Sequence, residues 1–395
     1  MKILHVSEVY PPSLGGVPTF VESITHDLAK RGHEVTVFTT SPVSSLRTYT
    51  KRQKDGVVVM RASAIKSPIN PMNNWMTIWP IISATRVFFK VRPDVIHMHT
   101  PIAGLHRVIM FWAKLTKTPV VLTNHVMPEN LLFNTSLSQK WEKLTRHIIW
   151  QDIINYARRA TFVTAPTRTA VEMLKRHKLH TPTAAVTNGV DEQKFSPGPV
   201  SKRLLKEYGI PATAWPKLIY IGRMDGEKRV DILLEAMPFI LNQYPSAHLI
   251  LVGRGVLQDE LKAFSKGLGI QEHVTFTGAL DESKKPDILR SSDAFVISSP
   301  AELQCISGLE ALATELPIIG TDVAALVEMC QNDKNGYQFH YPDPQLLAQA
   351  VDKLFSVKDR AKKFGKYGRE WVVANHTHLI SVEKYEKIYK QIAGD

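Results

Sequence analysis

The feature that most restricts how this chain can fold is a strand, glycine loop, helix and strand in immediate succession at its start. Lys2 to Ser7 reads as a buried strand, and the loop Val9 to Val17 follows it with Pro11-Pro12 and Gly15-Gly16. Through Thr19 to Gly32 the apolar residues Phe20, Val21, Ile24 and Leu28 recur at helical spacing, Lys30-Arg31-Gly32 marks the end, and Glu34 to Thr39 is a second strand. That order makes a βαβ unit, which requires a parallel sheet with right-handed crossovers. Short apolar runs at Val95 to Met98, Val120 to Thr123 and Thr161 to Thr164 extend the sheet.

The rhythm then restarts. Lys217 to Gly222 is a strand ending on glycine, Val230 to Leu241 a helix, and His248 to Gly253, Val274 to Gly278, Ala294 to Ser298 and Pro317 to Thr321 are further strands. At 395 residues two hydrophobic cores are the expected arrangement. The prediction is an α/β protein of two Rossmann-like doubly wound domains facing each other across a cleft, with the ligand site at the carboxyl ends of both sheets. Residues 1–195 and 196–376 form the two domains, joined near the Pro/Gly-rich Phe195-Ser196-Pro197-Gly198-Pro199. In the last segment, about 377–395, Tyr385, Ile388, Tyr389 and Ile392 form an apolar stripe that needs a surface, and the helix is expected to pack back on the first domain.

Charge is distributed unevenly. Residues 1–195 hold 25 Lys+Arg against 12 Asp+Glu, whereas residues 196–395 hold 24 against 25. The basic half suits an anionic lipid surface, a phosphorylated acceptor or nucleic acid, and ordinary solubility also accounts for it. No zinc finger, phosphate loop or recognition motif accompanies it, so nucleic acid is not expected as a partner. The longest apolar stretch, Trp79 to Val91, is broken by Arg86 and Lys90, which argues against a spanning helix. The opening apolar run is too short for a secretory signal and closes at Glu8. Cys305 and Cys330 are the only cysteines, so a cytoplasmic location fits best.

Two constellations carry chemistry. In Ser298-Ser299-Pro300-Ala301-Glu302-Leu303-Gln304-Cys305-Ile306-Ser307-Gly308-Leu309-Glu310 a strand ends, Pro300 forbids its continuation, and a helix begins near Ile306. Glu302 then precedes the helix and Glu310 lies inside it, so both can face one cleft, while the helix start offers free N–H groups to a diphosphate. In Gly222-Arg223-Met224-Asp225-Gly226-Glu227-Lys228 a strand hands over to a helix and presents Arg223 and Lys228, a planar fork and a point charge suited to a leaving diphosphate. Each motif alone also reads as solvated surface charge. His97 and His99 alternate along a strand and share a face, but no third ligand is evident and no metal site is expected.

Taken together, Glu302-x7-Glu310, Gly222-Arg223-x4-Lys228 and the Gly15-Gly16 loop resemble the family 4 retaining glycosyltransferases of the GT-B fold. The resemblance runs along essentially the whole chain, through Asn188-Gly189-Val190-Asp191, Val252-Gly253-Arg254-Gly255 and Phe276-Thr277-Gly278. It implies a hexosyltransferase using a nucleotide-diphosphate sugar, UDP-glucose being favoured, with no cofactor and no metal. By that resemblance Glu302 contacts the donor sugar, Glu310 the ribose, and Arg223 and Lys228 the diphosphate, with Gly15-Gly16 approaching from the other domain. His125 resembles the active-site histidine, and Gly253, Arg254, Gly278, Cys305 and Ile306 complete the donor site. Leu303-Gln304-Cys305 stands where members commonly have Gly-Phe-Gly, which leaves the sugar open. Cys305 itself reads as a small buried residue rather than a nucleophile.

The acceptor is expected on the basic first domain. Asn73 to Pro80 with Arg86, Phe88, Phe89, Lys90 and Arg92 mixes aromatic and basic residues, as a membrane interface requires. Leu137, Trp141, Leu144 and Ile148 form a stripe beside Lys140, Lys143 and Arg146; both segments also suit core helices. His125-Val126-Met127-Pro128-Glu129-Asn130 is similar to a segment in members that glycosylate diacylglycerol or related lipids. A lipid acceptor and peripheral attachment to the inner face of the cell membrane are the preferred expectation. A soluble sugar, phosphosugar or polysaccharide acceptor, a sugar-nucleotide epimerase and a non-catalytic nucleotide-sugar binder remain alternatives.

Overall fold

A computed structural model describes residues 1–13, 15–66, 75–99, 104–132 and 139–394. Asn73, Leu137 and the side chain of Lys140, all named above, lie outside the described residues. The chain divides into two compact units, one of Met1–Leu131 with Leu137–Gly189 and His378–Asp395, the other of Val190–Thr377 with the short piece Leu132–Ser136.

In the first unit the elements are β1 (Lys2–Ser7), α1 (Gly16–Lys30), β2 (Glu34–Thr40), β3 (Tyr49–Arg52), β4 (Val58–Ala62), β5 (Ala64–Lys66), β6 (Trp75–Thr77), α2 (Pro80–Val91) and β7 (Val95–His99). They continue as α3 (Gly104–Thr116), β8 (Val120–Thr123), α4 (Pro128–Leu132), α5 (Gln139–Ala157), β9 (Phe162–Ala165), α6 (Arg168–Arg176) and β10 (Thr183–Ala185). The large sheet runs β10-β9-β8-β7-β1-β2-β4-β3, parallel except for β3 against β4. Strand order reverses between β1 and β7, which is where such sheets open a crevice beyond their carboxyl ends. Helix α1 begins three residues earlier than its apolar periodicity indicates, because Gly15 takes φ 139° at the N-cap, a conformation that a side chain disfavours.

The second unit contains α7 (Lys202–Glu207), β11 (Lys217–Ile221), α8 (Val230–Gln243), β12 (His248–Val252), α9 (Gln258–Gly267), β13 (Val274–Gly278), α10 (Lys285–Arg290), β14 (Ala294–Ile297) and α11 (Ile306–Ala313). After these come β15 (Ile318–Thr321), α12 (Leu326–Met329), β16 (Gly336–Phe339), α13 (Pro344–Phe355) and α14 (Arg360–Asn375). Its sheet is wholly parallel in the order β13-β12-β11-β14-β15-β16, the Rossmann arrangement. Every residue of β11, β12, β14 and β15 is buried, which is why these strands read as unbroken apolar runs. Phe195, in the Pro/Gly-rich segment, belongs to this unit's core.

The last helix, α15 (His378–Ala393), belongs to the first unit. Its stripe packs on α1 and on a face of the sheet, with Tyr385 and Tyr389 fully buried among Phe20, Ile24, Leu28 and Val382. Each such side chain contributes roughly 1.5–3 kcal/mol of apolar burial, so the helix is fixed by packing rather than by propensity.

Candidate active site

The strand order of the second unit explains why its two motifs meet. β11 and β14 are the neighbours at the reversal point; β11 leads into Gly222–Lys228 and β14 into Ser298–Cys305. The loops are tied together by Ser298 Oγ donating to the Arg229 carbonyl at 2.6 Å and Ser299 Oγ to the Glu227 carbonyl at 3.2 Å. Lys228 Nζ consequently donates to Glu302 Oε1 at 2.7 Å, with both side chains largely enclosed. Burial pulls the Lys228 ammonium down, but Glu302 and Glu227 more than offset this, so it stays protonated with its pKa raised.

Arg223 stands differently. Its side chain is 57% exposed and is held by Asp225 and, at 2.5 Å, by Glu227. Glu227 Oε1 also lies 3.3 Å from Lys228 Nζ, so one buried carboxylate orients both cations. A single glutamate in a charged loop gave no signal of that role.

Glu310 lies inside α11, and its carboxyl is pushed up to about 7 by burial, an effect partly countered by Lys285. Lys285 Nζ is 3.9 Å from Glu310 Oε2, and this buried oxygen has no hydrogen-bond partner among the described residues. A buried acceptor in that condition suits an incoming hydroxyl donor. Cys305 is the N-cap of α11, its sulfur accepting from Gly308 N at 3.3 Å, and burial pushes the thiol up to about 12. It therefore stays a neutral thiol that ends the loop, with Ile306 as the first helical residue.

Gly253 and Gly278 have a packing reason for being glycine. A Cβ on Gly253 would strike the Gly222 carbonyl, and Gly253 N donates to the Gly278 carbonyl at 2.9 Å, drawing the ends of β11, β12 and β13 together. Arg254 beside them is exposed.

In the first unit, Gly15 and Gly16 open α1, and His125 follows β8. The expectation that His97 and His99 lack a third partner needs correction. His5 is in register with His97 across the β1–β7 pair, and ring nitrogens of His5, His97 and His99 all lie within 4.8 Å of one another, a spacing of the kind metal ligands have. The protein's own groups already engage these nitrogens. His97 Nδ1 is 2.6 Å from the Tyr389 hydroxyl and Nε2 2.6 Å from Thr123 Oγ1, while His5 Nδ1 is 3.0 Å from His99 Nε2. His99 Nδ1 continues to His125 Nε2 at 3.4 Å, giving a file of rings that ends at the carboxyl edge of the sheet. Burial holds all these imidazoles neutral, with His5 and His125 lowered to about 3. His5 is detectable only once the strand register is known.

Known proteins resemble the chain along nearly its whole length. The model of Glycosyltransferase Family 4 matches residues 14–194 and that of Glycosyl transferases group 1 matches residues 206–371. The chain is 23% identical to the alpha-monoglucosyldiacylglycerol synthase of Streptococcus pneumoniae over 98% of its own length and 84% of that protein's. It is 24% identical to the phosphatidyl-myo-inositol mannosyltransferase of Mycobacterium leprae, covering 96% of this chain and 94% of that one. Among solved structures, sucrose-phosphate synthase from Thermosynechococcus elongatus superposes with a TM-score of 0.81 at 19% identity, covering 99% of this chain and 98% of that one. Anabaena Alr3699/HepE in complex with UDP-glucose gives 0.75 at 16% identity, covering 99% and 100%. The fold is that of the GT-B glycosyltransferases, two Rossmann-like domains with parallel sheets. The chain belongs to the family 4 glycosyltransferases and is an enzyme of the hexosyltransferase class acting with a nucleotide-sugar donor.

Proposed function

We infer that the protein transfers a hexose, with glucose favoured, from a UDP-sugar to a membrane lipid such as diacylglycerol or a glycolipid, with retention of configuration and without a metal. The donor part of this reading rests on the Lys228–Glu302 pair and on the buried Glu310 oxygen that accepts no hydrogen bond among the described residues. Negative charge grows on the departing diphosphate as the sugar becomes oxocarbenium-like. Fixed cations at Lys228 and Arg223 stabilise that charge, and Glu302 accepts hydroxyls of the sugar. Glu310 takes the ribose hydroxyls. These cations supply the neutralisation that a carboxylate-bound divalent ion would otherwise provide, and the chain has no Asp-x-Asp.

The acceptor part rests on the outer faces of α2 and α3. Trp79 at the head of α2 is 65% exposed, Ile81 68%, Phe111 61% and Leu115 65%, and Phe89 is also exposed. Arg86, Lys90, Arg107 and Lys114 stand among them on helices that contain no Asp or Glu. Trp112 Nε1 donates to Thr85 Oγ1 at 2.8 Å, fixing one helix to the other. Exposed apolar residues ringed by cations are what an anionic bilayer surface attracts, and no helix among the described residues is long and apolar enough to cross it. The names of the pneumococcal and M. leprae relatives point to lipid acceptors as well.

The direct test is label transfer from UDP-glucose, UDP-galactose or GDP-mannose into the organic phase, with and without vesicles containing diacylglycerol and anionic phospholipid. Label with UDP-glucose only in the presence of vesicles is the expected result. Release of nucleotide with soluble sugars or phosphosugars alone would discard the lipid acceptor.

A further inference from the structure

On the first unit, α4, α5 and α6 border an open pocket of about 380 Å³ whose walls include Glu129, Lys143, Arg146, Trp150 and Arg176. Cations dominate it. Arg146 Nη1 is 3.0 Å from Glu129 Oε1, whereas Lys143 and Arg176 have no ion-pair partner among the described residues. The other Glu129 oxygen is buried and has no hydrogen-bond partner among the described residues. One wall is rigid and flat: Trp150 is buried and stacked on His177, with ring centroids 4.2 Å apart and planes 17° apart. Glu129 stands in α4, four positions beyond His125, so the pocket adjoins in sequence the loop that leaves the carboxyl edge of the sheet.

These groups are complementary to one kind of molecule. Two uncompensated cations and the Arg146 fork suit a dianionic phosphoryl group, and a buried carboxylate oxygen lacking a donor suits a hydroxyl. We propose that this pocket binds the phosphoryl group of a phosphorylated polyol, with Lys143, Arg146 and Arg176 meeting the phosphate and Glu129 accepting a hydroxyl. At 100° per residue, Lys143, Arg146 and Trp150 lie on the side of α5 away from exposed Trp141, Leu144 and Ile148. The site is thus separate from the apolar stripe of the same helix. Its meaning as part of acceptor recognition rests on the reading above that the first unit receives the acceptor; the binding itself does not.

The experiment is titration calorimetry of the full chain with sn-glycerol 3-phosphate, on the wild type and on the double variant Lys143→Glu, Arg176→Glu. UDP binding and the thermal melt are recorded on both proteins to show that they are folded. The expected result is saturable binding that weakens by at least about tenfold in the double variant while UDP affinity is unchanged. Equal binding by both proteins, or none by a wild type that binds UDP, overturns the proposal. Competition by phosphatidylglycerol vesicles then separates the sources: displacement of glycerol 3-phosphate identifies a lipid headgroup site, and its persistence identifies a site for a soluble phosphate. Failure of lipid glycosylation in the transfer assay leaves this measurement standing, so the two readings fail separately.

Discussion

Lys228 Nζ lies 2.7 Å from Glu302 Oε1, joining the loops that leave the two strands at the reversal point of the second sheet. The pair keeps a cation and a carboxylate enclosed and mutually oriented, the kind of fixed arrangement that stabilises developing charge without reorganisation.

On the proposed function, replacing Lys228 with Ala removes the charge that meets the departing diphosphate. Transfer should fall about 10²–10³-fold, mainly in kcat, with Glu302→Ala behaving similarly. Single-turnover assays check this, and full activity in either variant would refute the site.

Glu310 supplies a pH dependence. Its carboxyl is raised to about 7 by burial, so only above that value is it charged and fit for the ribose contact that the proposed function gives it. UDP affinity should therefore fall as pH drops through about 7, and Glu310→Gln should flatten the profile. Linkage gives a second readout. The folded pKa exceeds the ordinary 4.5, so the associated stability is present below 4.5 and lost as pH rises through about 7. At pH above about 7, Glu310→Gln should be more stable than the wild type by on the order of 1–3 kcal/mol in urea melts.

His99 stands between His5 and His125, and His99→Asn should release the outer ring. Transfer should drop about tenfold or more while UDP affinity holds, because the donor groups belong to the other unit. An equal loss of UDP affinity would count against a positioning role.

The same histidines make the first unit acid-sensitive. Folded pKa values lowered to about 3 for His5 and His125 lie below the ordinary 6.5. Stability is complete above 6.5 and declines as pH falls from there towards these folded values, by up to about 1.4 kcal/mol per pH unit for each group. Thermal melts across this range should show the decline. Tyr389→Phe, which deprives His97 Nδ1 of its hydroxyl partner, should cost about 1–3 kcal/mol.

The sequence by itself determined the two βαβ rhythms, the strands and the order of the motifs. Fully buried parallel strands have no polar face, so β11, β12 and β14 are written as continuous apolar runs. The glycines at their ends mark where backbones touch, as Gly253 does against Gly222. The C-terminal stripe was equally legible, since Tyr385 and Tyr389 recur at helical spacing and are buried. Periodicity says only that a helix has an apolar side, not what covers it. In α5 the stripe of Trp141, Leu144 and Ile148 is exposed, while Trp150 and Ile154 on the same helix are buried. Contacts between distant strands and loops were decided by tertiary structure alone. The His5–His99 bond depends on β1–β7 register, the shared hold of Glu227 on Arg223 and Lys228 on a loop path, and the cationic pocket on how three helices meet. These are products of pairing and packing between residues far apart in the chain, which local propensity does not encode.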